Sequence, residues 1–225
     1  MEIWLDSVNL EFIQKVNKLG IMTGVTTNPT LLSKTKDPLK IIERILQIQP
    51  GPVTVQVTAS HAEEMSLQGT RLQEISPNII VKIPCTEEGL KAIKDLSENK
   101  VNTMGTAIFN TRQALLCALA GAKYVAPYLS HMQQEEPNVW SVLETMFHMT
   151  RDYKLNTKIL VAAVQNLEQF DQCSAIGLPA ITLKERLFSE LIQDHERTLE
   201  RIDVFLTDWQ GANFSKTLFS ELNFS

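Results

Sequence analysis

The chain has 225 residues, of which 44% are apolar and 21% charged, and its formal net charge is −5. The ordinary apolar fraction and the absence of low-complexity tracts exclude a mainly disordered chain. The acidic balance argues against nucleic-acid binding, which depends on clustered cations. The longest apolar run, Ile159–Val164, is far shorter than a membrane-spanning helix requires. We therefore expect neither a nucleic-acid partner nor a membrane partner.

The start of the chain and its cysteines predict a cytoplasmic protein. Met1 is followed by acidic residues rather than by a cationic segment and an apolar one, so we expect no secretory signal. The three cysteines, Cys85, Cys117 and Cys173, are widely spaced and form no CxxC motif, and the four histidines form no HxxxH pair. This pattern predicts reduced thiols, no metal and no other cofactor.

Eight short runs rich in β-branched residues alternate with amphipathic segments along the chain. Their spacing of roughly 20 to 35 residues is typical of repeated strand–helix units. The count of eight favours a closed barrel over an open doubly wound sheet, so the predicted fold is an α/β, single-domain (β/α)8 TIM barrel. The predicted strands are Ile3–Leu5, Gly24–Thr26, Val53–Val57, Ile79–Ile83, Val101–Ala107, Tyr124–Pro127, Lys158–Ala162 and Ala180–Thr182.

Several helices between these strands have recognisable ends. An apolar stripe of Leu10, Ile13, Val16 and Leu19 stops at Gly20, which can adopt a left-handed conformation. N-cap residues are predicted at Thr86, Asn110 and Asn166, with Gly121 closing the second of these helices, and capping boxes at Ser60–Glu63 and Thr182–Glu185.

One further helix follows the eighth unit. Leu199, Ile202, Phe205, Leu206 and Trp209 give it an apolar face, which must be covered by the barrel or by another subunit. We predict one domain over residues 1–211, including this C-terminal helix, and a tail over residues 212–225 with an apolar spacing of its own.

Lys82 is the sharpest candidate for chemistry. In a strand the side chains alternate, so Ile80 and Lys82 face one way while Ile79, Val81 and Ile83 face the other. If Lys82 points into the barrel, poor solvation lowers the pKa of its amine and makes it a nucleophile of the kind that forms a Schiff base. The alternative, a lysine whose ammonium reaches water at the strand end, remains equally compatible with the pattern.

Polar residues also end the other predicted strands. Active sites of such barrels lie at the carboxyl ends of the strands, because the following loops build that face. Each residue alone allows a structural role, such as a cap, a turn or a rim position. Taken together, they predict one polar cluster at the barrel mouth. They are Asp6, Thr26, Asn28, Gln56, Thr106 and Tyr128.

These positions resemble the transaldolase family. The matching segments are Gly24-Val-Thr-Thr-Asn-Pro-Thr30, Ile80-Val-Lys-Ile-Pro84, Gly105-Thr-Ala107 and Tyr124-Val-Ala-Pro-Tyr128, together with Asp6, and the likeness extends from Met1 to about Gly211. The chain is most similar to the short, fructose-6-phosphate aldolase-like group, because Gln56 and Tyr128 stand where transaldolases proper carry glutamate and phenylalanine. The resemblance implies a (β/α)8 barrel and a homodecamer or other ring-built homo-oligomer whose extra helix contacts a neighbouring subunit.

The resemblance also implies roles for the residues at the mouth. Lys82 would form the imine with a small sugar or sugar-phosphate substrate. Tyr128, with a water held by Gln56 and Thr106, would transfer protons. Asp6 and Asn28 would hold the hydroxyls of the three-carbon donor, with Thr26 beside them in the substrate site.

The phosphate site departs from the pattern of the family. His131 stands where fructose-6-phosphate aldolase has an arginine, and Ala163 where it has a serine. Gln165 takes the place of a basic residue. Arginine carries a permanent charge, whereas an imidazole is mostly neutral at pH 7. We therefore expect weakened phosphate recognition, with Ser130 as a partial replacement.

Three functions are compatible with the sequence. The first is a class I aldolase that cleaves a fructose 6-phosphate-like ketose into a dihydroxyacetone-type donor and an aldehyde. The second is a transaldolase that transfers the same three-carbon unit between sugar phosphates of the pentose phosphate pathway. The third is a barrel without catalysis that serves binding or assembly. Gln56 and Tyr128 favour the first, and the retained Lys82 and Asp6 argue against the third.

Overall fold

Eight parallel strands form the centre of the fold in the computed structural model, which describes residues 1–211. Each strand pairs with the next one in the chain, and the first also pairs with the last, so the sheet closes into a barrel. The predicted (β/α)8 barrel is thus confirmed. The strands are β1 (Glu2–Asp6), β2 (Met22–Thr26), β3 (Val53–Gln56), β4 (Ile79–Pro84), β5 (Thr103–Ile108), β6 (Tyr124–Pro127), β7 (Lys158–Val161) and β8 (Ala180–Lys184).

Helices occupy the segments between these strands and continue after β8. Within the described part of the chain, none is long and apolar enough to cross a membrane. The helices are α1 (Leu10–Asn17), α2 (Pro29–Leu32), α3 (Pro38–Ile48), α4 (Ala62–Ile75), α5 (Glu87–Glu98), α6 (Thr111–Leu119), α7 (Leu129–Glu135), α8 (Val139–Asp152), α9 (Leu167–Ile176), α10 (Glu185–Leu191) and α11 (Glu196–Gly211).

The chain divides into two compact units. The first, Met1–Phe188, contains the barrel, and the second begins at Ser189 and contains α11. None of the residues of α11 is buried. That α11 belongs to one domain with the barrel, ending at residue 211, stays a prediction. The predicted tail, residues 212–225, lies outside the described residues.

The predicted N-caps are present where a side chain can accept a backbone hydrogen bond. The side-chain oxygens of Thr86, Asn110 and Asn166 accept from the backbone N–H groups three residues further on, at 2.9–3.0 Å. Each cap satisfies one of the N–H groups that a helix leaves without an intrahelical partner. Gly20 and Gly121 have the left-handed backbone, with φ of 69° and 102°, that was predicted at the ends of α1 and α6.

Two predicted capping boxes are wrong. Helix α4 begins after His61 rather than Ser60, and the N–H of Ala62 donates to Glu88 of the next helix at 2.9 Å instead of to a local cap. Thr182 is not a cap, because β8 continues past it to Lys184. In the apolar stripe of α1, Ile13 and Val16 are buried, but Leu19 lies beyond the helix end and is exposed.

The barrel interior is apolar between the two ends of the strands. Alternation along the strands places Trp4, Ile80, Met104, Tyr124, Ala126, Leu160 and Ala180 in one buried cluster. At the end where the strands begin, the carboxylate of Glu2 accepts hydrogen bonds from the indole N–H of Trp4 and the hydroxyl of Tyr124, both at 3.1 Å, and from Lys158. Side chains two residues apart on a strand face the same way. The inward faces of β4 and β6 therefore continue to Lys82 and Tyr128 at the carboxyl ends of these strands.

Candidate active site

A cavity of about 550 Å³ opens at the carboxyl ends of the strands. This is the end at which (β/α)8 barrels build their active sites. Eight of the ten residues predicted for the site line the cavity: Asp6, Thr26, Asn28, Gln56, Lys82, Tyr128, His131 and Ala163. The other two do not line the cavity but hydrogen-bond to residues that do: Thr106 to Tyr128, and Ser130 to Gln165.

Lys82 points into the barrel, as one of the two readings of its strand predicted. Its side chain is 6% exposed, and Nζ donates a hydrogen bond to the backbone carbonyl of Thr27 at 3.2 Å. Val81, the residue before it, faces outward toward α4. Burial lowers the pKa of the Lys82 amine, because an ammonium loses its hydration there, and attraction to Asp6 partly opposes this shift. The structure therefore favours a neutral, nucleophilic amine.

Asp6 ends β1 beside Lys82, and its pKa is shifted in the opposite direction. Burial raises the pKa of its carboxyl group, and this effect exceeds the lowering by the charge of Lys82 and by hydrogen bonds from Thr26 and Asn28. Burial therefore shifts the pKa values of the Asp6 carboxyl group and the Lys82 amine toward each other. Such a pair can give a proton to, or take it from, a group bound between them.

A short chain of hydroxyl groups holds Asp6 in place. Thr26 Oγ1 donates to Asp6 Oδ1 at 2.9 Å and lies 2.7 Å from Thr182 Oγ1. A hydroxyl has only one hydrogen, so when Thr26 donates to Asp6, Thr182 must be the donor to Thr26. The carboxyl group is therefore oriented by two buried threonines from neighbouring strands.

Asn28 serves both the backbone and the site. Its Oδ1 accepts from the N–H of Leu31 at 2.9 Å and caps α2, while its side chain also contributes to lowering the pKa of Asp6. Pro29 occupies the first turn of that helix, where its missing N–H costs nothing. The structural role considered for Asn28 and its position in the cavity are therefore both present.

Tyr128 and Gln56 line the cavity together with Lys82, and Thr106 lies behind Tyr128. The hydroxyls of Tyr128 and Thr106 lie 3.1 Å apart, and Thr106 is buried. Gln56 is the register partner of Lys82 on the adjacent strand, so its amide faces the same space. A phenol, a hydroxyl and an amide together offer donors and acceptors to a water or to a sugar hydroxyl.

The positions predicted to hold phosphate carry no arginine. The ring of His131 lies 5.7 Å from that of Tyr128. Ala163 has a positive φ of 59°, an uncommon backbone for a residue with a Cβ. Gln165 Nε2 donates to Ser130 Oγ at 3.4 Å and to the carbonyl of Ala163 at 3.3 Å, so these three positions contact one another.

Thr182, Lys184 and Lys34 are among the cavity residues that were not predicted as site residues. Thr182 and Lys184 lie on the inward face of β8, and Lys34 follows α2. A signal for two of them was present in the sequence. Ala180 belongs to the barrel interior, and a period of two carried past the predicted strand end would have reached Thr182 and Lys184. Nothing in the pattern around Lys34 pointed to the cavity.

No metal centre accompanies this cavity. Among residues 1–211, no group of three or more His, Cys, Asp or Glu side chains is placed to hold a metal ion. The chemistry available from these residues is that of an amine, a carboxyl group, a phenol and several hydrogen-bonding neighbours.

The fold and the cavity, compared with known proteins, define an enzyme of the aldolase/transaldolase type. The family model described as Transaldolase/Fructose-6-phosphate aldolase matches residues 3–221. The chain belongs to this family, which confirms the resemblance drawn from its motifs.

Curated relatives match nearly the whole chain. A protein of Listeria monocytogenes named "Probable transaldolase 1" is 35% identical over 213 residues, covering 94% of this chain and 99% of its own. Relatives named "Probable transaldolase" from Thermoplasma volcanium and Aquifex aeolicus are each 36% identical and cover 97% of their own length. They cover 95% and 93% of this chain, respectively.

A solved structure supports the barrel fold. The crystal structure described as a candidate fructose-1,6-biphosphate aldolase from Coccidioides immitis has a TM-score of 0.58, covering 81% of this chain and 73% of that one. Its sequence identity is 12%, so the likeness concerns the fold.

The opposing effects on Lys82 lead to a testable pH dependence. Because Asp6 raises the pKa of Lys82 while burial lowers it, Asp6→Asn should move the titration of the amine to still lower pH. Competitive acylation at a series of pH values, with quantification of the Lys82 peptide by mass spectrometry, measures this midpoint. A lysine peptide without structure, added to each reaction, serves as the reference. A midpoint in Asp6→Asn equal to or above that of the wild type would contradict the assignment.

Proposed function

We propose that the protein is a class I aldolase that forms an imine between Lys82 and a ketose and cleaves the ketose into a dihydroxyacetone-type donor and an aldehyde. The observation that carries the proposal is the Lys82 amine, buried at the barrel mouth next to Asp6 and favouring its neutral form. A neutral amine has the lone pair that attacks a carbonyl carbon, which an ammonium does not. Membership of the family supports the same chemistry.

Imine formation needs a nucleophile and a proton. The amine of Lys82 attacks the ketone carbon, and the resulting carbinolamine loses its hydroxyl group as water once a proton reaches that oxygen. Asp6, whose pKa is raised by burial, is the candidate donor of this proton. The product is a protonated imine that draws electrons from the neighbouring carbon.

Cleavage then needs a base at the hydroxyl of the fourth carbon. Tyr128, with a water positioned by Gln56 and Thr106, accepts that proton. The bond between the third and fourth carbons breaks, its electron pair moves toward the imine nitrogen, and the aldehyde leaves. Protonation of the remaining enamine and addition of water release the three-carbon ketone and regenerate Lys82.

A transaldolase is the second candidate, because the curated relatives carry that name. Transfer requires the enamine to survive until a second aldehyde arrives, whereas release requires its protonation. A water bound by Tyr128, Gln56 and Thr106 has no carboxylate beside it, unlike a water next to the glutamate that transaldolases proper carry in place of Gln56. This difference supports release of the three-carbon donor. The retained cluster around Lys82 argues against a barrel without catalysis.

Reductive trapping tests the imine directly. Borohydride added with dihydroxyacetone or fructose 6-phosphate should leave a stable adduct on the Lys82 peptide, seen by peptide mass mapping. Lys82→Met should abolish the adduct and lower turnover by at least about a thousandfold, since covalent catalysis is lost. Lys36→Met, an exposed lysine outside the cavity, is the matched control. Full turnover by Lys82→Met, or an adduct on another lysine, would refute the proposal.

The two candidate activities differ in their products. With fructose 6-phosphate alone, an aldolase releases dihydroxyacetone, whereas a transferase needs erythrose 4-phosphate before it turns over. The same reaction measured with and without this acceptor therefore separates them.

We further propose that recognition of a phosphate on the aldehyde part of the ketose is weak, because His131, Ala163 and Gln165 replace charged or hydroxyl groups. His131→Arg should lower the KM for fructose 6-phosphate by about ten- to a hundredfold, which corresponds to a charge-assisted hydrogen bond of about 1.5–3 kcal/mol. His148→Arg, an exposed histidine on α8, controls for the added charge. An unchanged KM in His131→Arg would rule out this explanation.

We propose that α11 contacts a second copy of the chain in a homodecamer or another ring-built oligomer. Leu199, Ile202, Phe205 and Leu206 are 47–59% exposed, an apolar face of the kind that marks an interface. The family resemblance supports the same partner.

A charge on this face of α11 tests the assembly. Leu206→Glu should lower the mass measured by sedimentation, because it places a carboxylate in an apolar contact. Thr207→Glu, the next residue on the helix, should leave the mass of the wild type. A monomeric wild type, or an unchanged mass in Leu206→Glu, would show that α11 has another role.

We also propose a cytoplasmic location. Cys85, Cys117 and Cys173 are free thiols, which fits a reducing compartment.

A further inference from the structure

Two lysines that the proposed mechanism does not use line the same cavity. Lys184 is the last residue of β8, and Lys34 follows α2. Both side chains are exposed, and within residues 1–211 neither forms an ion pair. Asp6 is the one carboxyl group among the lining residues, and the charge of Lys184 lowers its pKa while burial raises it. The cavity therefore has two exposed ammonium groups that the proposed mechanism does not use.

Both lysines lie on the part of the mouth that surrounds Asp6 and Asn28. Lys184 is the register partner of Asp6 across the pairing of β1 with β8, and adjacent strands lie about 4.8 Å apart. Lys34 follows the short helix that Asn28 caps. The family resemblance implies that Asp6 and Asn28 hold the three-carbon donor, so the two ammonium groups would border the donor end of the site.

The aldehyde end of the mouth offers no comparable charge. His131, Ala163 and Gln165 present an imidazole, a methyl group and an amide to the cavity. The amide of Gln165 is engaged by Ser130 and by the carbonyl of Ala163, and its backbone carbonyl accepts from Arg186 at 2.9 Å. Among the lining residues, the exposed cations are therefore Lys34, which follows α2, and Lys184 on β8, while Arg186 near Gln165 lies outside the cavity lining.

We propose that Lys34 and Lys184 bind a phosphate ester on the three-carbon donor, so that the preferred donor is dihydroxyacetone phosphate rather than dihydroxyacetone. A phosphate monoester carries close to two negative charges near pH 7, which matches two ammonium groups. Lysine binds phosphate as a point charge through charge-assisted hydrogen bonds. The two lysines form no covalent bond and only bind. This assignment rests on the proposed imine at Lys82.

A competition experiment tests the assignment. The enzyme is mixed with equal concentrations of dihydroxyacetone and dihydroxyacetone phosphate, and cyanoborohydride reduces the imines formed on Lys82. Mass spectrometry of the Lys82 peptide resolves the two adducts, whose ratio is normalised to that on a lysine peptide in solution. The wild type should favour the phosphorylated adduct at least about tenfold, the effect of one charge-assisted hydrogen bond.

Lys184→Met and Lys34→Met should each bring this ratio toward one, and added salt should do the same, because exposed charges are screened. Lys36→Met, in the same loop as Lys34 but outside the cavity, should keep the wild-type ratio. A wild-type ratio near one, or an unchanged ratio in both Lys184→Met and Lys34→Met, would overturn the assignment while leaving the imine intact. If neither ketone labels Lys82, the proposed function itself fails.

Discussion

The desolvation of one amine is the constraint on which the site depends. Lys82 sits where the inward face of β4 passes from the apolar interior to the polar mouth, so its ammonium form lacks water on most sides. The charge of Asp6 raises the pKa of Lys82 but does not offset the effect of burial. Burial also raises the pKa of Asp6 itself, which disfavours its charged form. Closing the strands into a barrel therefore lowers the pKa of this amine before any substrate binds, because an ammonium is poorly hydrated there.

The remaining polar groups are organised around this pair. Thr182 and Thr26 orient the carboxyl group of Asp6 from one side, while Tyr128 and Thr106 hold each other on the opposite side of the mouth. Each of these contacts joins different strands of the barrel. Strand register, and not the loops alone, therefore determines the geometry of the site. Hydrophobic packing fixes this register.

The sequence allowed the barrel to be predicted because eight β-branched runs recur with regular spacing. Their alternation left two orientations open for Lys82, and the structure has the inward one. The two wrong capping boxes show where local rules end. The N–H of Ala62 donates to Glu88 on a neighbouring helix. Thr182 lies inside β8, which is longer than predicted and extends to Lys184 at the cavity. Contacts between distant segments decide such cases, and a local pattern does not contain them. Lys34 reaches the cavity only through the path of its loop, which no periodicity describes.

The network of Glu2, Trp4, Tyr124 and Lys158 lies at the end of the barrel where the strands begin, opposite the cavity that contains Lys82. In the proposed aldolase reaction, the ketose therefore enters and the products leave at the carboxyl ends of the strands. The three-carbon fragment stays bound to the Lys82 amine until its imine is hydrolysed, whereas the free aldehyde has no covalent bond to the protein. The proposed mechanism therefore implies an ordered release in which the aldehyde departs first.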